Sequence, residues 1–179
     1  MNAASPSMNE VPEALAAGSL RTPQGIVYVA ASERGVCRIE LPGTSAASRF
    51  QRWLKSQVGH VGEASPLLER ARRELREYFG GERRRFTVEV DLHGTEFQCR
   101  VWRAVARVEY GTTTSYGAIA RAVGEIGKAR AVGAANGANP VPIIVPCHRV
   151  IGADGSLTGY GGGLPMKLWL LRHEGALIA

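Results

Sequence analysis

A cysteine and a histidine stand side by side near the C-terminal end of the chain, at Cys147 and His148. They follow Pro146 and lie between two short apolar runs, residues 143–145, which are expected to form a strand, and residues 150–151. A thiolate is the most nucleophilic common side chain, and a neighbouring base favours its formation. Apolar flanks place such a pair near the core. The pattern therefore indicates covalent chemistry at a buried, oriented thiol.

Direct proton transfer between the two side chains is not possible in an extended strand, because neighbouring side chains point to opposite faces. Either the chain turns at this point or a water relays the proton. A third group is expected to orient the imidazole, as an acid does in hydrolase triads. The best candidate is Glu174, in the last turn of a helix predicted to begin near Pro165 and to end at Gly175. A carboxylate there opposes the helix dipole, which indicates a partner; a solvated glutamate is the alternative.

A glycine-rich segment, residues 152–163, follows the pair. It lacks the lysine spacing of a phosphate loop. Glycines near a nucleophile let the backbone approach a flat ligand, and Tyr160 would form an aromatic wall for it. A surface hairpin with Tyr160 as a packing residue is the alternative. Upstream, Asn139 precedes a proline and is expected to bond to nearby backbone.

The first half of the chain has the pattern of a small sheet with a helix. Strands are predicted at 25–31 and 36–41, joined as a hairpin around 33–35, and at 86–92, where apolar and polar residues alternate. Ser65 caps a helix that has Pro66 at its first position and ends at glycines 80–81.

The second half is mainly helical. Residues 95–98 form a capping box that opens a helix ending near Tyr110, with Cys99 and Trp102 as packing residues. Ser115 caps a helix over 116–123, and a turn leads to a second helix over 128–136. Two short helices around such a turn make a helix-turn-helix candidate.

The second helix of this pair carries almost no bulk, since Arg130 is its only long side chain free to insert. So slim a helix suits the minor groove, where little sequence is read. Close packing against a neighbouring helix is the alternative, and this segment alone favours it.

Composition sets the remaining bounds. The 179 residues carry a net charge of +6, which is common in proteins that meet nucleic acid. An ordinary basic soluble protein is the alternative, and composition alone does not decide between the two. No apolar run in the sequence is long enough to cross a bilayer. Residues 1–18 lack the pattern of a secretory signal and are expected to form a disordered tail. The three cysteines indicate a reduced, cytoplasmic compartment. Structural zinc is not expected, although an improvised site of Cys37, His60 and His93 stays open.

The sequence resembles the O6-alkylguanine-DNA alkyltransferases. The resemblance rests on residues 130–152, which contain the Pro-Cys-His-Arg motif, on Gly-Tyr-Gly-Gly-Gly at 159–163 and on Lys-Leu-Trp-Leu-Leu-Arg-His-Glu at 167–174. It is strong over 93–179 and holds only in outline before that. It implies an α/β (α+β) fold in three parts: a disordered tail (1–18), a small N-terminal sheet domain with a helix (19–92), and a mainly helical catalytic and DNA-binding domain (93–179).

The resemblance implies DNA repair by a single, irreversible transfer of the alkyl group of O6-alkylguanine, and of O4-alkylthymine, to Cys147. The damaged base is flipped out of the duplex. His148 would activate Cys147 through a water, Glu174 would orient His148, Tyr116 would protonate the leaving guanine, Asn139 would shape the turn, and Lys167 would assist near the leaving group.

The other implied residues contact DNA or the flipped base. Arg130 would fill the gap in the base stack, and Tyr116 would help to rotate the nucleotide. The expected minor-groove contacts are Ala129, Gly133, Ala134 and Gly137, and the expected base pocket is Tyr160, Val150, Gly161 and Pro146. No cofactor, metal or membrane is implied. The protein is expected to act as a monomer, with cooperativity on DNA left open, in the cytoplasm and, in a bacterium, at the nucleoid.

Some positions depart from the family's pattern. Glu125 brings a negative charge to the turn before Arg130, Gly137 replaces a basic residue of some relatives, and Gly161 replaces a serine. Two other functions remain. A lesion-binding, alkyltransferase-like protein would lack the cysteine. A Cys–His hydrolase would turn over and would have no use for the slim helix.

Overall fold

In the computed structural model, which describes residues 14–57 and 60–176, the N-terminal half builds a four-stranded sheet. Its strands are β1 (Ala14–Thr22), β2 (Gly25–Ser32), β3 (Val36–Glu40) and β4 (His60–Gly62). Their order is β3-β2-β1-β4, with β4 parallel to β1 and the other pairs antiparallel. The predicted hairpin of β2 and β3 is confirmed.

The strand β1 was not predicted. It contains residues 14–18, so a disordered tail over 1–18 is wrong for that part, while residues 1–13 lie outside the described residues. Leu15 and Leu20 are buried, and β1 pairs with β2 from Leu15 to Thr22. Much of β1 is Ala, Gly and Ser, which favour strands weakly. Pairing with the neighbouring hairpin therefore stabilises β1, although its own residues favour a strand weakly.

The predicted strand over 86–92 is wrong. Within it, only Val90 forms an isolated bridge, with Val36. The amides of Thr87 and Val88 donate to the buried carboxylate of Glu74, at 2.8 and 3.1 Å. That carboxylate accepts the hydrogen bonds that a neighbouring strand would otherwise accept from these amides. The segment therefore alternates buried and exposed side chains without forming the backbone hydrogen bonds of a sheet.

Two helices cover the two faces of the sheet. The helix α1 (Ala46–Ser56) was not predicted; Ser45 makes no side-chain cap bond, and Phe50 packs with Leu15 and Ala30. On the other face lies α2 (Pro66–Phe79), which confirms the predicted helix and its cap, since the Ser65 side chain accepts the Leu68 amide.

The C-terminal half contains four α-helices within the described residues: α3 (Glu96–Val105), α4 (Tyr116–Ala122), α5 (Ala129–Gly137) and α6 (Leu164–His173). The capping box at Thr95 is present, but α3 ends at Val105, before the predicted end near Tyr110. The pair α4 and α5 has the predicted helix–turn–helix order, with positive φ at Gly124 and Gly127 in the turn. Two short parallel strands, β5 (Thr114–Ser115) and β6 (Val150–Ile151), join the helices to the cysteine segment.

The apolar stretch before Cys147 was expected to be a strand and is a turn instead. Ile143 has φ of +76°, in the left-handed region that β-branched residues rarely adopt. Its side chain is nonetheless almost fully buried. Burial of the run therefore comes from a compact turn and not from a sheet.

One apolar core runs through both halves. It includes Val29 of β2, Leu75 of α2, Val101 of α3 and Leu170 of α6. The fold class, a small sheet with a helix followed by a mainly helical part, is confirmed. The boundary between residues 92 and 93 remains a prediction. Over residues 14–57 and 60–176, no helix combines the length and apolarity that a membrane crossing requires.

Candidate active site

The chain turns at the cysteine, as cooperation between Cys147 and His148 requires. Residues Cys147–Arg149 form a single 3-10 turn between Pro146 and β6. All three side chains are buried, and His148 has no exposed surface. The nucleophile candidate is thus held by the core and not by a surface loop.

Glu174 lies next to His148, as expected. Its Oε1 is 2.9 Å from Nε2 of His148. Glu174 also accepts hydrogen bonds from Arg149, at 2.8 and 2.9 Å, and from the Tyr78 hydroxyl at 2.7 Å. The carboxylate at the end of α6 therefore joins the cysteine turn to α2 of the N-terminal half.

The charge states of these groups follow from burial and from these contacts. Burial raises the pKa of Cys147 to about 11, against the opposing effects of Asn139 and the Lys167 charge. Burial lowers the pKa of His148 despite its carboxylate partner. Burial alone would raise the pKa of Glu174, but hydrogen bonds from His148 and Arg149 outweigh it and lower the pKa to about 2. The resting pair is a thiol beside a neutral imidazole.

His148 has one nitrogen free for proton transfer. Its Nε2 faces Glu174, whereas Nδ1 is buried and has no hydrogen-bond partner among the residues the structure describes. A neutral imidazole whose Nε2–H donates to a carboxylate presents a lone pair at Nδ1. The histidine is therefore oriented as a base.

Two asparagines shape the turn that carries Cys147. The Asn139 amide donates to the Val145 carbonyl at 2.8 Å, and its oxygen accepts the Val141 amide at 3.0 Å. From α5, Asn136 donates to the Cys147 carbonyl at 3.1 Å. Asn139 holds the turn as predicted.

Lys167 lies beneath the glycine-rich loop (residues 152–163). It is fully buried, and its ammonium donates to the carbonyls of Val150 at 2.7 Å and Thr158 at 3.1 Å. Burial lowers the pKa of this amine. Lys167 thus ties the loop to β6, next to the cysteine turn.

Cys147 lies at the wall of a cavity of about 320 Å³ between the two halves of the chain. Of the four residues predicted for the base pocket, Tyr160 and Gly161 line this cavity, whereas Val150 and Pro146 are buried and do not line it. The lining also includes a charged group that was not predicted, in which Arg38 of β3 and Arg49 of α1 both contact Glu40. The N-terminal half therefore contributes to the pocket.

The helices α4 and α5 present a slim outer face. Arg130, Ala134 and Gly137 are exposed, and Ala129 is half-buried. Within the described residues, Arg130 makes no ion pair or hydrogen bond that would hold it down. A Cβ at Gly133 would lie 3.7 Å from the Tyr116 ring, so that ring packs on α5.

The charge of Glu125 in the turn is compensated. Its carboxylate contacts Arg100 at 2.8 Å and Lys128 at 2.6 Å. An ion-paired Glu125 offers little repulsion to a polyanion, so this departure from the family's pattern does not count against an anionic ligand.

Sequence reasoning assigned no role to Tyr78, Asn136 or Arg149. Arg149 had a detectable signal, since an arginine inside an apolar run needs a carboxylate. Tyr78 looked like an ordinary core aromatic, and its contact with Glu174 spans residues far apart in sequence. Cys37, His60 and His93 belong to no metal-holding group in the portion that the structure describes.

Comparison with known proteins places these features in a family. Residues 15–92 match the model described as 6-O-methylguanine DNA methyltransferase, ribonuclease-like domain, and residues 96–176 match the DNA binding domain of the same name. The methylated-DNA–protein-cysteine methyltransferase of Mycobacterium leprae is 56% identical over 124 residues, 69% of this chain and 74% of that protein.

Solved structures agree along almost the full length. The O6-methylguanine methyltransferase of Mycobacterium tuberculosis has a TM-score of 0.76 and 42% identity, covering 92% of this chain and 95% of that one. The complex of Mycobacterium tuberculosis OGT with DNA has a TM-score of 0.75 and 40% identity, covering 91% and 93%.

Proposed function

Because this chain belongs to the 6-O-methylguanine DNA methyltransferase family, its activity is DNA repair by alkyl transfer to a protein cysteine, and we propose that Cys147 is the acceptor. The observation that carries the assignment is the contact of His148 with Glu174 beside a buried thiol that lines a cavity. Cys37 and Cys99 are also buried, but within the described residues their thiols contact backbone carbonyls and not a basic side chain.

The chemical step is a displacement at the alkyl carbon. Nδ1 of His148 takes the Cys147 proton through a water, and the thiolate sulfur attacks the carbon attached to O6. A bond forms between sulfur and carbon while the bond between carbon and O6 breaks, and the electron pair leaves with the guanine. The Tyr116 hydroxyl protonates the departing base. The thioether product is stable, so each molecule reacts once.

Glu174 has a positioning role in this step. As a carboxylate it holds the Nε2–H tautomer of His148 and stabilises the imidazolium that forms. Its other donors keep it ionised, so it does not compete for the proton. Asn139 and Asn136 fix the turn, and Lys167 supports the loop above the leaving group.

The DNA contact belongs to α4 and α5. DNA is the partner, and we place its minor groove against Ala129, Gly133, Ala134 and Gly137, which leave room for close approach. Arg130 enters the base stack where the flipped nucleotide was, and Tyr116 rotates that nucleotide toward Tyr160 and Gly161. Val150 and Pro146 support this pocket without lining it. We propose that residues 93–179 form the catalytic and DNA-binding domain.

Further properties go with this assignment. We propose that the protein acts as a monomer in the cytoplasm and, in a bacterium, at the nucleoid. We also propose that O4-alkylthymine is a second substrate. Binding isotherms on long DNA would test whether binding is cooperative. A non-catalytic lesion binder is disfavoured by Cys147. A hydrolase is disfavoured because the thiol neighbours a DNA-facing helix pair.

Mass spectrometry tests the proposal directly. The intact protein is incubated with a duplex containing O6-methylguanine, and a gain of one methyl group, mapped to Cys147 by peptide analysis, is expected. The Cys147→Ala variant should gain nothing while it still binds the duplex, because the thiol faces the cavity and not the outer face of α5. Methylation at Cys37 or Cys99 would refute the assignment, and continued turnover would favour a hydrolase.

A further inference from the structure

Thr158 in the glycine-rich loop makes a direct contact with Tyr116. Its hydroxyl oxygen lies 2.9 Å from the Tyr116 hydroxyl oxygen, within hydrogen-bond distance. Tyr116 is the first residue of α4, so this bond crosses between the loop and the helix pair. Thr158 itself is exposed, and nothing in core packing requires a hydroxyl there.

The backbone of Thr158 is held from the opposite side. Its carbonyl accepts a hydrogen bond from the buried ammonium of Lys167. Lys167 also bonds to the Val150 carbonyl, which follows the cysteine turn directly. The threonine is therefore fixed to the same frame as Cys147, while its side chain points outward to Tyr116.

The Tyr116 ring has support on its other side as well. It packs against α5 at Gly133, where an added Cβ would lie 3.7 Å from two ring carbons. The ring is thus held by α5, and its hydroxyl is held by Thr158. Both the position and the rotation of the phenol are set before any base enters.

The direction of the hydrogen bond decides what the phenol can do. A tyrosine hydroxyl carries one donor and can accept through its oxygen. When Thr158 donates, the Tyr116 proton stays available for a ligand. A donated hydrogen bond also stabilises the phenol oxygen as it gives up that proton. In the described part of the chain, no other hydrogen bond involves this hydroxyl.

We propose that Thr158 is a positioning residue for alkyl transfer, and that it holds the Tyr116 hydroxyl with its proton directed at the leaving guanine. This inference rests on the proposed function, because it assumes that Tyr116 protonates the base. Thr158 acts through Tyr116 and does not contact the reacting atoms.

Substitutions at Thr158 separate its hydroxyl from its shape. Thr158→Val keeps the branched shape and removes the donor, and Thr158→Ser keeps the donor. We expect Thr158→Val to slow single-turnover methyl transfer from duplex O6-methylguanine about 3- to 10-fold, the value of one hydrogen bond. Thr158→Ser should stay within about twofold of the native rate, by the same measure. Affinity for the undamaged duplex should not change.

A double variant shows whether the effect passes through Tyr116. In a Tyr116→Phe background, Thr158→Val should cause no further loss, because the acceptor is already gone. An unchanged or faster rate in Thr158→Val, a failure of serine to restore the rate, or an equal loss in both backgrounds would each overturn the proposal. If the native protein gains no methyl group, the proposed function fails instead.

Discussion

Glu174 combines two roles at the level of a single residue. It orients His148 and also neutralises the buried guanidinium of Arg149, with Tyr78 as a further donor. A buried carboxylate with this many donors is ionised at neutral pH, and removing its charge leaves the Arg149 guanidinium without a countercharge. The group that we propose to support the chemistry therefore also supports the fold.

A neutral isostere measures how much the charge of Glu174 contributes to the stability of the fold. Glu174→Gln should lower the free energy of unfolding at pH 7 by about 3–5 kcal/mol, because it leaves a buried charge uncompensated. The folded pKa of about 2 lies below the unfolded value of about 4.3. The stability that this ionisation contributes is therefore present above the unfolded pKa and is lost as the pH falls toward 2.

Urea denaturation at several pH values between 7 and 2 checks this expectation. The difference between native protein and Glu174→Gln should be largest at neutral pH and should narrow below about pH 4.3. Glu63→Gln, at an exposed carboxylate, serves as the matched control. A constant difference across the range would contradict the linkage.

At the level of elements, α5 combines a bare outer face with one long side chain. Arg130→Ala should reduce methyl transfer from a duplex roughly tenfold or more, since the gap left by a flipped base costs a few kcal/mol to keep open. Transfer from the free O6-alkylguanine base should change far less, because that substrate needs no flipping. Arg52→Ala removes the same charge from an exposed position on α1 and is the control. Equal losses on both substrates would argue against a base-flipping role.

The elements that the sequence predicted are those with local signals. Ser65 and Thr95 make the cap bonds that mark the starts of α2 and α3, and Ser115 does so for α4. The same reasoning missed α1, whose Ser45 makes no cap bond. It predicted strands at 86–92 and 143–145 because alternating or continuous apolar residues indicate burial. Burial also occurs without a sheet, in a segment whose amides bond to Glu74 and in a compact turn.

The residues of the candidate site also fall into those that the sequence predicted and those that it did not. Cys147 and His148 are adjacent, and Glu174 could be assigned from its unfavourable place at a helix end. Tyr78, Arg38 and Arg49 could not be assigned, because their contacts depend on how the first half of the chain packs against the second. A contact between positions far apart in one sequence leaves no local pattern.

At the level of the whole molecule, Tyr78 connects the N-terminal half to the contact between Glu174 and His148. Burial raises the pKa of this phenol well above its usual value, so it donates to Glu174 as a neutral group. Tyr78→Phe keeps the ring and removes the donor. It should lower the free energy of unfolding by about 1.5–3 kcal/mol, as for a hydrogen bond to a charged group. It should also slow methyl transfer and shift its pH profile.

Tyr110→Phe is the matched comparison, because Tyr110 donates to the His173 carbonyl and not to Glu174. That variant should lose stability without a shift in the pH profile of transfer. Thermal unfolding and single-turnover rates measured across pH distinguish the two. An unshifted profile in Tyr78→Phe would show that the N-terminal half contributes stability alone.

The left-handed backbone at Ile143 has a consequence for how the site depends on the packing of the two halves. A β-branched residue adopts this conformation only when its surroundings impose it. Those surroundings include the Asn139 bonds to Val141 and Val145 and the bond from the Ile39 amide to the Pro140 carbonyl, which comes from the sheet. The bond from Ile39 crosses between the halves, so we expect the turn that carries Cys147 to depend on the packing of the N-terminal half. A variant that loosens the packing between the two halves should therefore lose methyl transfer as well as stability.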